Sequence, residues 1–238
     1  MRAEYAPWMA DVLEYGGARG RDVLDVGCGQ GIDLANYALN GARATGVDLT
    51  PRHVELARAH LEALGLSGTV VHGDAEALPF DDASFNRVSS NGVLHHTPDM
   101  ARALAEVRRV LRPGGEATII VYNRRSLHFW VEQFLHEGIM RRKLLREGSM
   151  AGVLSAGVER SSIEARPLVR VYSPGELRRM LRDAGFAEVQ VQVRHFLPSD
   201  TFVTLALHRR GRLRGRFTCD RIGRAAGWYV VGRGVRAG

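Results

Sequence analysis

The sequence predicts an α/β protein with a doubly wound, mostly parallel sheet of seven strands. Three observations support this fold class. Short apolar segments alternate with helical patterns through residues 23–122, a glycine-rich turn follows the first apolar segment in "VLDVGCGQG", and two short apolar segments follow near the end, at residues 189–193 and 202–207. Repeated alternation of strand and helix is typical of a parallel sheet with helices on both faces.

Each element of the alternating region is predicted from its own pattern. Apolar runs predict strands at residues 23–26, 44–49, 69–72, 85–90 and 116–122. Helical spacing predicts helices at residues 33–39, 51–64 and 100–111. Pro51 stands in the first turn of the second helix, and Pro113 follows the third, as helix boundaries favour.

The alternation stops after the fifth strand. Residues 124–172, rich in arginine, histidine and aromatic residues, are expected to form a helical insertion. The pattern resumes with "SPGELRRMLRDAGF", a helix with Ser173 as N-cap and Gly185 after its end. Residues 189–193 and 202–207 are then predicted to pair as a C-terminal antiparallel hairpin. The whole chain, residues 1–238, is predicted to be one domain with a basic C-terminal tail at residues 209–238.

Length and composition restrict the class of protein. At 238 residues and 45% hydrophobic, the chain is long enough to bury a substantial core. The apolar stretches fall short of the roughly 18 residues that a membrane span needs, and we find no signal-peptide pattern, so we expect a cytoplasmic protein. Cys28 and Cys219 are too few and too far apart for a disulfide framework or a cysteine zinc site.

Charge is distributed unevenly along the chain. Residues 1–123 carry 11 basic and 16 acidic residues, whereas residues 124–238 carry 22 basic and 10 acidic ones. Every basic residue except Lys143 is arginine. The tail holds nine arginines and one acid, a composition that suits either contact with nucleic acid or anionic lipid, or simple exposure to water.

The glycine-rich turn excludes one class of ligand and disfavours another. A phosphate-binding P-loop needs lysine and then serine or threonine after its last glycine, but Ile32 and Asp33 follow Gly31. A dinucleotide fingerprint is spaced GxGxxG, whereas this turn is spaced GxGxG. Asp25 and Asp33 flank the turn, and two carboxylates favour a ligand with positive charge.

These residues resemble the first motif of class I S-adenosylmethionine-dependent methyltransferases, the group of small proteins with "LDVGCGxG". The resemblance implies a Rossmann-like fold, with S-adenosylmethionine as cofactor and S-adenosylhomocysteine as product. It also implies that the acid of the motif lies near the amino group of the cofactor and that the glycine loop lies against its methionine part and ribose. The corresponding residues here are Asp25, Gly27, Cys28, Gly29 and Gly31.

Three further motifs extend the resemblance. In "ATGVDLT", Asp48 ends the second strand and is expected to bind the ribose hydroxyls, with Leu49 against the adenine. In "HGDAEALPF", the resemblance implies that Asp74 meets the adenine amino group, with Ala75 and Glu76 beside it. In "RVLRPGGEATI", the Pro-Gly-Gly sequence is expected to make the turn between helix and strand.

Candidate catalytic residues follow the fourth strand in "SSNGVLHHTPD". A base is needed only when the methyl acceptor keeps its proton, and histidine titrates in the useful range. His95 and His96 are therefore candidates for a general base, although the same "LHH" recurs in the family whatever the substrate, which favours a packing or cofactor-side role. Asn91, at the end of the strand, is a candidate cofactor contact.

The insertion and the N-terminus hold the candidate substrate contacts. The resemblance to the methyltransferases implies that the insertion, residues 124–172, forms a lid over the acceptor. Tyr122, His128 and Trp130 are the residues expected to touch the acceptor, with Phe129, Phe134 and Leu135 as an apolar wall or as packing of the lid. Tyr5 and Trp8 are expected either to cover the cofactor or to pack ordinarily. His128 and His136 lack a third ligand nearby in the sequence, so we predict no metal site.

Four functional hypotheses follow. The leading one is methyl transfer to oxygen, nitrogen or carbon of a small or lipid-like acceptor, with an anionic group suggested by the basic half of the chain. An RNA methyltransferase is the second, although residues 90–93 lack the "NPPY" type of motif. A nicotinamide-dependent oxidoreductase is disfavoured by the glycine spacing and by the absence of a Tyr-x-x-x-Lys pair, and a non-catalytic cofactor-binding scaffold is the fourth. The sequence does not predict the oligomeric state.

Overall fold

The computed structural model describes residues 6–157, 167–211 and 216–238, with the side chains of residues 216–218 left aside. Its strands are β1 (Asp22–Val26), β2 (Arg43–Asp48), β3 (Thr69–His72), β4 (Phe85–Asn91), β5 (Leu111–Tyr122), β6 (Phe186–Arg194) and β7 (Tyr229–Arg236). Its α-helices are α1 (Trp8–Leu13), α2 (Ile32–Leu39), α3 (Pro51–Ala63), α4 (Met100–Val110), α5 (Lys143–Glu147), α6 (Met150–Gly157), α7 (Pro174–Asp183), α8 (Phe202–Arg209) and α9 (Arg216–Ala226). Short 3₁₀ helices cover Tyr15–Ala18, Leu94–His96 and Pro198–Asp200, and a π-helix covers His128–Met140.

The strands form one seven-stranded mixed sheet in the order β3-β2-β1-β4-β5-β7-β6, with a C-terminal antiparallel hairpin. β1 pairs in parallel with β2 and β4, and its register aligns Asp25 with Gly46 on one side and Ser89 on the other. The predicted fold class is therefore confirmed. The carboxyl ends of β1, β2 and β4 meet at one edge, which brings the glycine loop beside Asp48 and Asn91.

The prediction for the second strand of the hairpin was wrong. Residues 202–207 belong to α8, where the Thr201 side chain accepts a hydrogen bond from the Thr204 backbone N–H and caps the helix. A short apolar run is compatible with a strand and with a helix, and here the Thr201 cap stabilises the helix. The strand that neighbours β6 in the sheet is β7 instead, and β6 lies at the edge.

β7 also corrects the prediction of a basic tail, because residues 216–236 contribute a helix and a strand to the fold. Val230 and Val231 of this strand are completely buried. Gly232 lies where an added Cβ would be 2.7 Å from Leu181 and 2.9 Å from Leu177 of α7, so glycine is needed for close packing. Residues 212–215 of the predicted tail lie outside the described residues.

The Pro-Gly-Gly sequence lies within β5 and not in a turn before it. Phe85 pairs with Leu111 and Arg87 with Glu116, so β5 advances five residues while β4 advances two. Pro113, Gly114 and Gly115 lie in this bulge, where Gly114 has a φ of +75°. The helix and the strand are directly adjacent at residues 110 and 111.

The chain divides into two compact units. Unit 1 comprises Met1–Ile120, Leu177–Val191 and Val231–Gly238, and unit 2 comprises Val121–Glu176 and Gln192–Val230. In unit 1, the core around the central strands is fully buried at Leu24, Val88 and Ile119. In unit 2, a cluster of buried apolar residues is formed by Tyr122, Phe129, Leu154, Val169 and Trp228.

The predicted insertion, residues 124–172, is largely helical over residues 127–157, whereas residues 167–172 belong to no helix. It contains the π-helix, α5 and α6, and residues 158–166 lie outside the described residues. Among the described residues, no helix is both long enough and apolar enough to cross a membrane.

Candidate functional site

The glycine loop after β1 is built on left-handed backbone. Gly27, Gly29 and Gly31 have φ values of +73°, +54° and +77°. An added Cβ on Gly27 would lie 2.3 Å from the Val93 side chain, and one on Gly31 would lie 3.1 Å from Ala57. Around the Cβ position of Gly29, by contrast, no atom lies within 4 Å. The loop therefore packs tightly at its two ends and presents open backbone at its middle glycine.

Asp48 is anchored to this loop. The carboxylate is buried, and its Oδ2 accepts a hydrogen bond from the Gly29 backbone N–H at 2.9 Å. Its Oδ1 accepts one from the Thr50 N–H at 2.9 Å and lies 3.2 Å from His53 Nδ1. A carboxylate has about four lone-pair positions, so these contacts fix the side chain and leave acceptor capacity for a ligand.

Two carboxylates give the loop a negative potential. Asp25, at the end of β1, is buried and accepts a hydrogen bond from Ser89 Oγ at 3.3 Å. Burial, and then the charges of Asp25 and Asp48, raise the pKa of the Cys28 thiol between them. A cation near Cys28 would be stabilised by the same field that disfavours a thiolate.

A third carboxylate, Asp33, is held by side chains from two other segments. Tyr15 Oη donates to Asp33 Oδ1 at 2.7 Å, and Asn91 Nδ2 donates to Asp33 Oδ2 at 2.9 Å. Asn91 Nδ2 also lies 3.7 Å from the Met9 sulfur of α1. The N-terminal segment thus joins the site through Met9 and Tyr15. Trp8 begins α1, and Tyr5 lies outside the described residues.

Tyr15→Phe should lower the free energy of unfolding by roughly 1.5 to 3 kcal/mol, because it removes a hydrogen bond to a buried carboxylate. Tyr37→Phe is the matched control. The rings of Tyr15 and Tyr37 are in edge contact, 5.0 Å apart, but the Tyr37 hydroxyl donates to the neutral Leu13 carbonyl at 3.0 Å. Its loss should cost only about 1 kcal/mol. Urea unfolding of both variants measures the two losses of unfolding free energy. Equal losses, or a larger loss in Tyr37→Phe, would contradict the role given to Asp33.

The residues expected at the adenine lie on two adjacent loops. Leu49 is 65% exposed directly after Asp48, and its carbonyl accepts a hydrogen bond from His72 Nε2 at 2.9 Å. Asp74 is exposed, and its Oδ1 accepts a hydrogen bond from the Glu76 N–H at 2.9 Å, which fixes the turn that carries Ala75. The exposed Leu49 side chain offers an apolar surface on which the face of a flat ring could pack. The Asp74 carboxylate, on the neighbouring loop, offers a hydrogen-bond acceptor in a fixed position.

Glu76 connects two loops through hydrogen bonds. Its Oε1 accepts hydrogen bonds from Thr97 Oγ1 and, at 2.7 Å, from the Asp99 N–H. These two donors lower the pKa of the Glu76 carboxyl. The loop after β3 is thereby tied to the segment that follows the two histidines.

The two candidate catalytic histidines differ in exposure. His95 is completely buried, and burial together with the charge of His96 holds its pKa well below the ordinary value. His96 is half-buried, with its ring centroid 4.0 Å from that of His95. His96 is therefore the member of the pair that solvent reaches.

In unit 2, two of the three expected acceptor contacts come together around Trp228. Tyr122 stacks on Trp228 with ring centroids 4.6 Å apart, and the His128 ring lies 4.5 Å from the same indole. His128 Nδ1 lies 2.7 Å from the Asp200 carbonyl, so it carries the proton, and Nε2 accepts from Gln133 at 3.0 Å. Trp130 is 51% exposed and contacts Phe129 and Phe134 instead.

His136 has two acidic neighbours, Glu132 four residues before it and Glu137 directly after it, which the expectation of no third ligand near the histidines overlooked. Glu132, His136 and Glu137 place one potential ligand atom each within 4.8 Å of one another. These carboxylates already have partners. Glu132 accepts from His136 Nδ1 at 2.7 Å and from the Phe202 N–H at 3.0 Å, and Glu137 pairs with Arg141 at 3.2 Å and with Lys143. The cluster is an ion-pair network.

Comparison with known proteins identifies the family. A sequence model described as "Methyltransferase domain" matches residues 24–119, the segment that holds the glycine loop, Asp48, Asp74 and both histidines. Ubiquinone biosynthesis O-methyltransferase from Maricaulis maris is 32% identical over 176 residues, which are 66% of this chain and 67% of the relative. The chain belongs to the S-adenosylmethionine-dependent methyltransferases.

Other matches agree with this family and fold. Phthiotriol/phenolphthiotriol dimycocerosates methyltransferase from Mycobacterium leprae is 35% identical over 162 residues, 67% of this methyltransferase. The matched part spans 58% of the length of that relative. A crystal structure of a methyltransferase from Aquifex aeolicus has a TM-score of 0.61 at 17% identity and covers 99% of this chain and 93% of its own, so it supports the fold alone.

Tyr15, Ser89 and Thr50 were not predicted from the sequence. Each acts through a carboxylate that the motifs identify. Thr50 and Ser89 lie within the quoted stretches "ATGVDLT" and "SSNGVLHHTPD", but no role was predicted for them, and Tyr15 belongs to no motif. Thr50, two residues after Asp48, could have been found from the tendency of aspartate to accept from the N–H two positions ahead. Tyr15 and Ser89 are brought to their partners only by the fold, over 18 and 64 residues.

Proposed function

We propose that this methyltransferase moves the methyl group of S-adenosylmethionine to an oxygen, nitrogen or carbon atom of a small or lipid-like acceptor that carries an anionic group. The observation that carries the proposal is the fixed, buried Asp48 carboxylate beside open glycine backbone. The names of the two curated relatives supply the acceptor class, since one acts in ubiquinone biosynthesis and the other on phthiotriol dimycocerosates.

The residues present fit the proposed cofactor by charge and by shape. Asp25 and the glycine loop would hold the positively charged methionine part, Asp48 the ribose hydroxyls, and Leu49, Asp74 and Ala75 the adenine. The open position at Gly29 suits the approach of a ligand to backbone, because a side chain there would fill the space. When bound, the cofactor supplies a methyl carbon that its sulfonium already activates.

The protein's own contribution is mainly to position the acceptor and exclude water. An acceptor hydroxyl or protonated amine also needs a base. His96 is the candidate, because its ring is half-buried and in contact with the fully buried His95 ring. In this proposal His95 orients His96, and His96 removes the acceptor proton.

His96→Gln should lower kcat by about a hundredfold or more and leave KM for the cofactor unchanged, as expected for the loss of a general base. His208→Gln, an exposed histidine on α8, is the matched control. The rate should be followed with an acceptor hydroxyl over a range of pH. A His96→Gln enzyme with wild-type kcat and pH profile would show that no base is needed at this position.

The acceptor class is tested with cofactor that carries a labelled methyl group. The protein is incubated with a total lipid extract and, separately, with total RNA. Label in a lipid-soluble product that requires Asp48 supports the proposal. Label in RNA would replace it by the alternative that the excess of basic residues in the second half suggests. Cofactor binding without label in any acceptor would favour a non-catalytic scaffold.

A further inference from the structure

Unit 2 exposes an unusual number of large apolar side chains along one stretch of chain, residues 130–146. Leu145 is 84% exposed, Met140 60% and Ile139 50%. Trp130 and Leu135, in the same stretch, are also more than two-fifths exposed. Single exposed apolar residues are ordinary, but a series of five within seventeen residues is typical of an interaction surface. We call this stretch the interfacial segment.

The winding of the π-helix brings three of these side chains onto one face. A π-helix is closed by hydrogen bonds between residues five apart, as from the Arg141 N–H to the His136 carbonyl at 2.9 Å. Residues four to five positions apart therefore share a face. Trp130, Leu135 and Ile139 follow this spacing, whereas an α-helix would turn Leu135 away from Trp130.

Basic residues accompany the apolar ones. The sequence "IMRRKLLR" at residues 139–146 contains four basic residues and no acid. Arg142 and Arg146 are exposed. Three acids lie close to this run in the sequence. Glu147, directly after Arg146, is half-buried, and Glu132 and Glu137 have side chains only 21% and 13% exposed and are held by the ion-pair network described above. Positive charge thus faces solvent beside the apolar side chains.

We propose that the interfacial segment docks on the surface of an anionic lipid bilayer. Trp130, Leu135 and Ile139, which share a face, would enter the boundary between headgroups and acyl chains together with Met140 and Leu145, which follow them in the chain. Arg142 and Arg146 would contact anionic headgroups. A second copy of this chain is a poorer occupant, because a symmetric contact would bring the same arginines together. RNA is also poorer, since it would leave the aliphatic side chains in water. The proposal does not require methyl transfer, so it can fail or succeed independently of the proposed function.

The test is co-sedimentation of the full chain with vesicles at low ionic strength. One set contains phosphatidylcholine alone and the other equal parts of phosphatidylcholine and phosphatidylglycerol. We expect binding to the second set. Ile139→Ser with Leu145→Ser should weaken it about tenfold or more, and Arg142→Gln with Arg146→Gln should weaken it roughly fivefold for each charge removed. The controls are Leu39→Ser with Leu64→Ser, and Arg179→Gln with Arg182→Gln, which change exposed residues of unit 1.

Tryptophan emission gives a second readout. Insertion of the segment should shift the emission to shorter wavelength when anionic vesicles are added, and Trp130→Phe should remove most of that shift while binding persists. The proposal is overturned if no vesicle is bound, if neutral vesicles are bound as well as anionic ones, or if the control variants weaken binding as much as the test variants. It is also overturned if sedimentation velocity shows that Leu145→Ser dissociates an oligomer while vesicle binding is unchanged, because a second copy would then occupy the segment.

Discussion

Replacement of Asp48 with alanine should weaken the binding of S-adenosylhomocysteine by roughly 1.5 to 3 kcal/mol, or about ten- to 150-fold. The carboxylate is buried and fixed by the Gly29 and Thr50 backbone N–H groups, so it is ordered before the ligand arrives. Its remaining lone pairs are the proposed acceptors for two ribose hydroxyls. Isothermal titration of the purified, folded protein measures the loss.

Asp48→Asn removes the negative charge at this position but keeps the shape of the side chain. Asparagine keeps one oxygen acceptor but presents an NH₂ group to one of the two backbone donors, so we expect an affinity between those of the wild type and the alanine variant. Asp183→Asn, at the exposed end of α7, should bind as the wild type does. Thermal unfolding of each variant shows whether the glycine loop is still folded. Unchanged affinity in folded Asp48→Ala would refute the assignment of the ribose to this residue.

The part of the site that the sequence predicted is the part built from local signals. The glycine loop, Asp25 and Asp48 lie within or directly after strands whose apolar runs and turn residues are contiguous in the chain. β1 to β5 were therefore predicted to within a few residues at most boundaries, and the parallel sheet followed from their alternation with helices. The resemblance to the methyltransferases rests on the same segments, and the comparisons confirm it.

What escaped prediction depends on tertiary contacts. β7 contains Gly232 and Gly234, which weaken any strand pattern, and these glycines are explained only by Leu177, Leu181 and Phe186 packed against them. Residues 202–207 were predicted to be a strand but form a helix. A run of six apolar residues is too short for its periodicity to distinguish a helix from a strand. The π-winding of residues 128–140 could not be anticipated either, since a helical pattern in the sequence does not distinguish rare from ordinary winding.

The second large effect is expected in the pH dependence of stability, through His195. This residue is buried in unit 2. Burial, and then repulsion from His128 once that ring is protonated, lower the pKa of His195 to about 4. An unfolded histidine titrates near pH 6.5, so the unfolded state binds the proton first as the pH falls. His195 should therefore contribute a loss of about 1.4 kcal/mol per pH unit below pH 6.5, and about 3 kcal/mol by pH 4.

Asp200, in the same unit, should act in the opposite direction. Burial raises the pKa of its carboxyl to about 6, whereas an unfolded aspartate titrates near pH 3.9. The folded state then binds the proton first, so ionisation of Asp200 costs stability as the pH rises from about 4 through 6. Asp200→Asn should stabilise the protein at pH 7 by about 2 kcal/mol, provided that the amide oxygen keeps the hydrogen bond from the Leu197 N–H.

The two variants together test whether these buried groups control acid stability. His195 has a φ of +73°, a conformation that asparagine accepts well, so His195→Asn removes the titrating ring with little backbone strain. Urea unfolding between pH 7 and pH 4 measures how the free energy of unfolding declines as the pH falls. The decline should be flatter for His195→Asn. It should be steeper for Asp200→Asn, because protonation of Asp200 no longer offsets the destabilising effect of His195. Parallel curves for the wild type and both variants would mean that neither group changes its pKa on folding. Opposite changes in slope would locate the acid sensitivity in the buried polar groups around His128.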